Sequence, residues 1–124
     1  MKTVFVIDDS ATLRGKLRND LESHGFRVEE AADGKEGLEK ILAMAELPSV
    51  IICDINMPVI DGLTMVERMQ EYPHLQPIPK LMLTTETNAT MKARAKSAGV
   101  TAWITKPYDK DSLVEVLRDL APED

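Results

Sequence analysis

The residues able to do chemistry stand at the ends of short apolar runs. Asp8 and Asp9 follow Thr3 to Ile7 (TVFVI), and Asp54 follows Val50 to Cys53 (VIIC). Thr84 closes Leu81 to Thr84 with Thr85 behind it, and Lys106-Pro107 follows Thr101 to Thr105. Three carboxylates brought together repel, and some take up protons unless a cation is bound. Oxygen donors of this kind suit Mg²⁺ better than Zn²⁺. Imidazole and thiol ligands are missing from the set. His24 and His74 lie far from the run ends, and Cys53, adjacent to Asp54 in an extended segment, points the opposite way. A carboxylate beside such a cation can act as a nucleophile and become an acyl phosphate. Lysine and threonine can then hydrogen-bond the remaining phosphoryl oxygens.

For this chemistry the run ends must meet. Thr3 to Ile7, Phe26 to Ala31, Val50 to Cys53, Leu81 to Thr84 and Thr101 to Thr105 read as strands. Amphipathic segments separate them. Ser10 can cap a helix whose Leu13, Leu17 and Leu21 repeat at i+4, with Arg14, Lys16 and Arg18 on other faces. Asp33-Gly34 leads into a helix carrying Leu38, Ile41, Leu42 and Ala45. Leu63, Val66 and Met69 mark a third, Met91, Ala95 and Ala98 a fourth, and Leu113, Val114 or Val116, Leu117 and Leu120 a fifth. Ile55 to Gly62, with Pro58 and Asp61-Gly62, reads as a loop, and so does Tyr72 to Pro79 with its three prolines. Strictly alternating β and α segments predict an α/β fold with a parallel sheet covered on both faces. Five units leave it open, since a closed barrel of this type needs eight. In such sheets ligands bind beyond the carboxyl ends of the strands, where the chemical residues fall. The second strand contributes no comparable group.

Composition narrows the function further. The chain has 124 residues and a formal net charge of −6, with 44% hydrophobic and 29% charged residues. That length fits one domain, residues 1–124, and Pro122-Glu123-Asp124 reads as a natural end. The negative charge argues against a nucleic-acid surface, which needs clustered Lys and Arg. No apolar run approaches the roughly 20 residues that span a bilayer. The single cysteine, Cys53, excludes an internal disulfide and reads as core, and the expected setting is a reducing cytoplasm.

Asp8-Asp9, Asp54 within Cys53-Asp54-Ile55-Asn56-Met57-Pro58, Asp61-Gly62, Thr84 and Lys106-Pro107 together resemble the response-regulator receiver family. Each piece alone is an ordinary turn residue, whereas the set is specific, and the resemblance runs over essentially the whole chain. It implies the flavodoxin-like (CheY-like) doubly wound sheet, strand order 2-1-3-4-5 with five helices. It also implies that Asp54 is the phosphoacceptor, with Thr84 and Lys106 assisting. Asp9, Asp54 and the backbone carbonyl of Asn56 would bind Mg²⁺, with Mn²⁺ as a substitute, and Asp8 would act mostly through water. Thr84 and Trp103 would form the output switch, Asn56 and Glu86 would tune phosphoryl lifetime, and Lys106-Pro107 would be a cis peptide. The family commonly has Tyr or Phe where Trp103 stands, and Ala or Gly where Thr85 stands.

The expected role is a phosphorylation-activated switch rather than a metabolic enzyme. A histidine kinase would supply the phosphoryl group. Output would pass through the face of the fourth helix, fifth strand and fifth helix, around Lys92, Lys96, Trp103 and Lys110. A flagellar motor switch protein is the expected partner, the chain acts as a monomer, and no effector domain is expected after residue 124. A stand-alone receiver in a phosphorelay, or one that regulates another kinase, is the main variant. An aspartyl-phosphate phosphohydrolase is disfavoured because Asn56 stands where those enzymes carry a second Asp. An interaction module independent of phosphate is disfavoured because the acidic residues and the lysine are all present.

Overall fold

The apolar runs and amphipathic segments become strands and helices in strict alternation. The computed structural model describes residues 2–121; Pro122-Glu123-Asp124 lies outside the described residues. The elements are β1 (Thr3–Ile7), α1 (Ala11–Glu22), β2 (Arg27–Ala31), α2 (Gly34–Ala43), β3 (Val50–Cys53), α3 (Gly62–Met69), β4 (Lys80–Thr84), α4 (Ala89–Ser97), β5 (Ala102–Thr105) and α5 (Lys110–Leu120). The strands form one parallel sheet in the order β2-β1-β3-β4-β5, the order of flavodoxin and CheY.

Alternation along each strand sorts the core into two layers. Phe5, Ile7, Ile51, Cys53 and Met82 face one side, where they pack with Ile41 of α2, Leu63 and Val66 of α3, and Ala95 of α4. Val4, Val6, Ile52, Leu81 and Leu83 face the other, against Leu17 and Leu21 of α1 and Leu113, Val114 and Leu117 of α5. Each large apolar side chain fully buried this way contributes about 1.5–3 kcal/mol. The central strands β3 and β4 are buried throughout, but β2 alternates and β5 is half-exposed. An edge strand has only one neighbour and partial cover.

Every helix start uses a side-chain cap of the expected chemistry. Ser10, Asp33, Asp61, Asn88 and Asp109 each accept from the backbone N–H three residues on. Asp61-Gly62, read from the sequence as loop, is therefore the cap and first residue of α3. Short shifts occur elsewhere: Phe26 and Thr101 fall outside β2 and β5, and Lys80 joins β4.

Register levels the strand ends. Ile7 pairs with Cys53 across β1 and β3, and Thr84 with Thr105 across β4 and β5. Strand order reverses between β1 and β3, so Asp8 and Asp54 leave the sheet side by side at the topological switch point.

Candidate functional site

Asp54 follows β3 directly and is buried at 6% exposure. Its Oδ1 accepts from the backbone N–H of Ile55 at 2.6 Å. Its Oδ2 accepts from Nζ of Lys106 at 2.8 Å. Asp8 is buried as well, at 3% exposure. Its Oδ1 accepts from the Ser10 N–H at 2.8 Å and its Oδ2 from Lys106 at 3.0 Å. Burial raises the pKa of Asp8, with the Ser10 N–H and Lys106 opposing and the Asp54 charge adding to the rise. Burial lowers that of Lys106, but its bonds to Asp54 and Asp8 outweigh this and leave it raised.

Asp9 is exposed. Carboxylate oxygens of Asp8, Asp9 and Asp54 lie within 4.8 Å of one another. Two of the three acids are buried and share one ammonium, so negative charge is in excess and all donors are oxygen. This set fits a hard divalent cation. It brings together the carboxylates expected from the sequence, and Asn56 stands two residues after Asp54.

The backbone around Asp54 is closely packed. The Gly62 N–H donates to the Ile55 carbonyl at 2.9 Å. A Cβ on Gly62 would overlap the Asp54 carbonyl oxygen and press on Sγ of Cys53. Only glycine lets α3 begin this close to the acid. Val59 has φ of 70°, in a tight turn closed by the Ile60 N–H to the Pro58 carbonyl at 2.8 Å. For a β-branched residue this is a strained conformation, five residues beyond Asp54.

On the opposite flank, Thr84 is fully buried and its Oγ1 accepts from the Glu86 N–H at 3.3 Å. The Thr84 carbonyl accepts from the Lys106 N–H at 2.9 Å, which ties the end of β4 to the lysine. The Lys106-Pro107 peptide is cis. Trp103 on β5 is half-buried, and its Nε1–H donates to the Glu86 carbonyl at 3.2 Å. The Lys92 ammonium lies 5.6 Å from its ring centroid. Asn56 Nδ2 donates to Glu86 Oε1 at 3.2 Å. Glu86 thus touches Asn56 by its side chain and Thr84 and Trp103 by its backbone, and it joins the loop after β3 to β5. Thr85 is exposed and lines a shallow cavity with Leu13, Lys16 and Pro107.

Three residues escaped the sequence reading. Arg14, placed there only on a face away from the leucine stripe, donates from Nη1 to the Asp8 carbonyl at 2.6 Å and from Nε to Glu30 Oε1 at 3.0 Å. Glu30 comes from β2, the strand read as contributing no comparable group at its end. Lys80 is 1% exposed, and its ammonium donates to the carbonyls of Leu75 at 2.9 Å and Ile78 at 2.8 Å. Desolvation pulls its pKa down. It ties the proline-containing loop to β4. For Arg14 the available signal was i+4 spacing from Ser10, at the site end of α1. For Lys80 and Glu30 there was none, because both depend on where distant backbone lies.

Comparison with known proteins agrees with this fold. Residues 4–118 match the family model of the response regulator receiver domain. The chain is 37% identical over 115 residues to chemotaxis protein CheY1 of Helicobacter pylori, covering 92% of each. It is 32% identical to protein PilH of Pseudomonas aeruginosa, covering 94% of this chain and 95% of that one. It is also 35% identical to sensor histidine kinase CheAY of H. pylori, but spans only 14% of that protein's length. The solved structure of Vibrio cholerae chemotaxis protein CheY4 superposes with a TM-score of 0.89 at 37% identity, covering 97% of this chain and 98% of that one. The chain belongs to the response regulator receiver domain family, with a CheY-like fold.

Proposed function

We propose that the chain is a signalling switch that accepts a phosphoryl group from a histidine kinase on Asp54 and reports it through altered partner binding. The observation that carries this reading is the contact of Asp54 with Lys106. Oδ1 of Asp54 is engaged by the Ile55 N–H, and Oδ2 faces Lys106. Oδ2 is therefore the oxygen that attacks phosphorus. The P–N bond of a phosphohistidine donor breaks as the P–O bond forms, and the imidazole leaves with the electron pair. Lys106 then pairs with a phosphoryl oxygen, and the Thr84 hydroxyl donates to another. Asp8, Asp9, Asp54 and the Asn56 carbonyl would hold Mg²⁺ (or Mn²⁺). A bound divalent cation neutralises the negative charge that gathers on the phosphoryl oxygens.

Output follows from the contacts of Thr84. When its hydroxyl turns toward the phosphoryl group, the acceptor of the Glu86 N–H is lost. The Glu86 carbonyl that holds Trp103 moves with it, and the surface of α4, β5 and α5 changes. Asn56 and Glu86, bonded to each other at the mouth of the site, set access for attacking water and hence phosphoryl lifetime. Turnover is confined to the chain's own phosphorylation and dephosphorylation, and the setting is cytoplasmic.

The similarity to CheY1 and CheY4, both chemotaxis proteins by name, supports a role in chemotaxis with a flagellar motor switch protein as partner. The match to a stretch of a sensor histidine kinase supports a second reading, a receiver acting within a phosphorelay. Calorimetric titration with a motor switch protein, before and after addition of Mg²⁺ and acetyl phosphate, separates the two. Tighter binding after phosphorylation is the expected result. Equal affinity in both states would remove the motor role and leave the relay.

A further inference from the structure

Asp9 is the one acid of the cluster with no side-chain hydrogen bond among the described residues, and it is exposed. Its placement therefore depends on its backbone. The peptide that links it to Asp8 is gripped from α1: Nη1 of Arg14 donates to the Asp8 carbonyl at 2.6 Å. Arg14 is itself held. Its Nε donates to Oε1 of Glu30 at 3.0 Å, and the other carboxylate oxygen, Oε2, accepts from Arg18 at 2.6 Å. The Arg14 and Glu30 side chains are only 18% and 26% exposed. The Glu30 carbonyl accepts from Lys40 on α2 at 2.7 Å. A hydrogen-bonded bracket of α1 and β2 side chains thus ends on the peptide plane between two of the three acids.

We propose that Arg14, braced by Glu30, is a positioning residue for the cation site: it fixes the Asp8-Asp9 peptide and so holds Asp9 where a divalent cation needs it. This rests on the reading of Asp8, Asp9 and Asp54 as that site. The role opposes the simple effect of charge. A guanidinium near a cation site repels the cation, so Coulomb's law alone makes removal of Arg14 tighten Mg²⁺ binding. Loss of an outer-shell support weakens metal binding, typically 10–100-fold. The sign of the change separates the two.

The test is calorimetric titration of Mg²⁺ into the phosphate-free chain, for the parent, Arg14→Met, Arg14→Lys and Glu30→Gln, with circular dichroism confirming the fold. Arg14→Met is expected to bind Mg²⁺ about tenfold more weakly. The deficit should persist in about 0.5 M salt, where long-range charge effects are screened. Arg14→Lys, which keeps one donor and the charge, should recover much of the affinity. Glu30→Gln, which keeps Arg14 but loosens its brace, should weaken binding by a smaller factor that high salt does not remove. Unchanged or tighter binding in Arg14→Met would overturn the proposal. If Arg14→Met does not fold, parent-like affinity in Glu30→Gln at high salt would overturn it instead. A parent that itself fails to bind Mg²⁺ would sink the cation site, a result distinct from failure of Arg14 alone.

Discussion

The Lys106 ammonium lies 2.8 Å from Oδ2 of Asp54, across 52 residues of sequence. The same ammonium bonds Asp8 at 3.0 Å, so one lysine from the end of β5 is shared by carboxylates from the ends of β1 and β3. Lys106→Met leaves two buried acids facing each other with no counter-charge. The metal-free variant is expected to lose about 1–3 kcal/mol in urea unfolding. Added Mg²⁺ should restore more stability to it than to the parent, because the cation takes over the lysine's role. Equal Mg²⁺ response in both would show that Lys106 does not share the charge of the site.

The raised pKa of Asp8 fixes the sign of a pH effect. Burial makes its ionisation harder in the folded chain than in the unfolded one. Its contribution to metal-free stability is therefore fully present below the ordinary carboxylate pKa and is lost as pH climbs through the raised value. Asp8→Asn removes the titration. Urea midpoints measured without metal from pH 3 upward should fall in the parent over that window relative to Asp8→Asn, and Mg²⁺ should shrink the gap. Parallel curves would contradict this.

Gly62 sits where α3 meets the Asp54 backbone, and any Cβ there overlaps a main-chain oxygen that cannot yield cheaply. Gly62→Ala is expected to cost about 3 kcal/mol or more, although it changes no charge. Gly15 has open space around its Cβ position and is the control. Gly15→Ala should leave stability equal or slightly raised by about 0.5–1 kcal/mol, since it lies inside a helix. Thermal midpoints of the two variants test the contrast.

Trp103 is held by one hydrogen bond to the Glu86 carbonyl and by Lys92 over its ring. Trp103→Phe removes the donor and should cost about 0.5–1.5 kcal/mol in unfolding followed by circular dichroism. Phosphorylation of Asp54 should survive, whereas the gain in partner affinity on phosphorylation should shrink. An undiminished gain would make Trp103 a passive edge residue.

Much of this arrangement was legible in the chain. Thr3–Ile7 and Val50–Cys53 appear in the structure with the bounds their apolar runs predict, because the period of two and the β-branched content leave little choice. Asp8, Asp9, Asp54, Thr84 and Lys106 could be grouped because each closes a strand and parallel strands end on one side. Asp61 looked like loop because a capping aspartate and a turn aspartate share one composition. Arg14, Glu30 and Lys80 were not legible, since their partners are main-chain oxygens or side chains whose positions only the folded chain sets. Local periodicity places Arg14 on a face of α1 but does not say that β2 brings a carboxylate to that face.

The most direct measurement is intact mass after incubation with Mg²⁺ and acetyl phosphate, with Trp103 fluorescence read on the same samples. Trp103 is the only tryptophan, so the signal has one source. The parent should gain the mass of one phosphoryl group and change its fluorescence only when Mg²⁺ is present, and Asp54→Asn should do neither. A parent that gains no mass, or an Asp54→Asn variant that gains it equally, would contradict Asp54 as the phosphoacceptor.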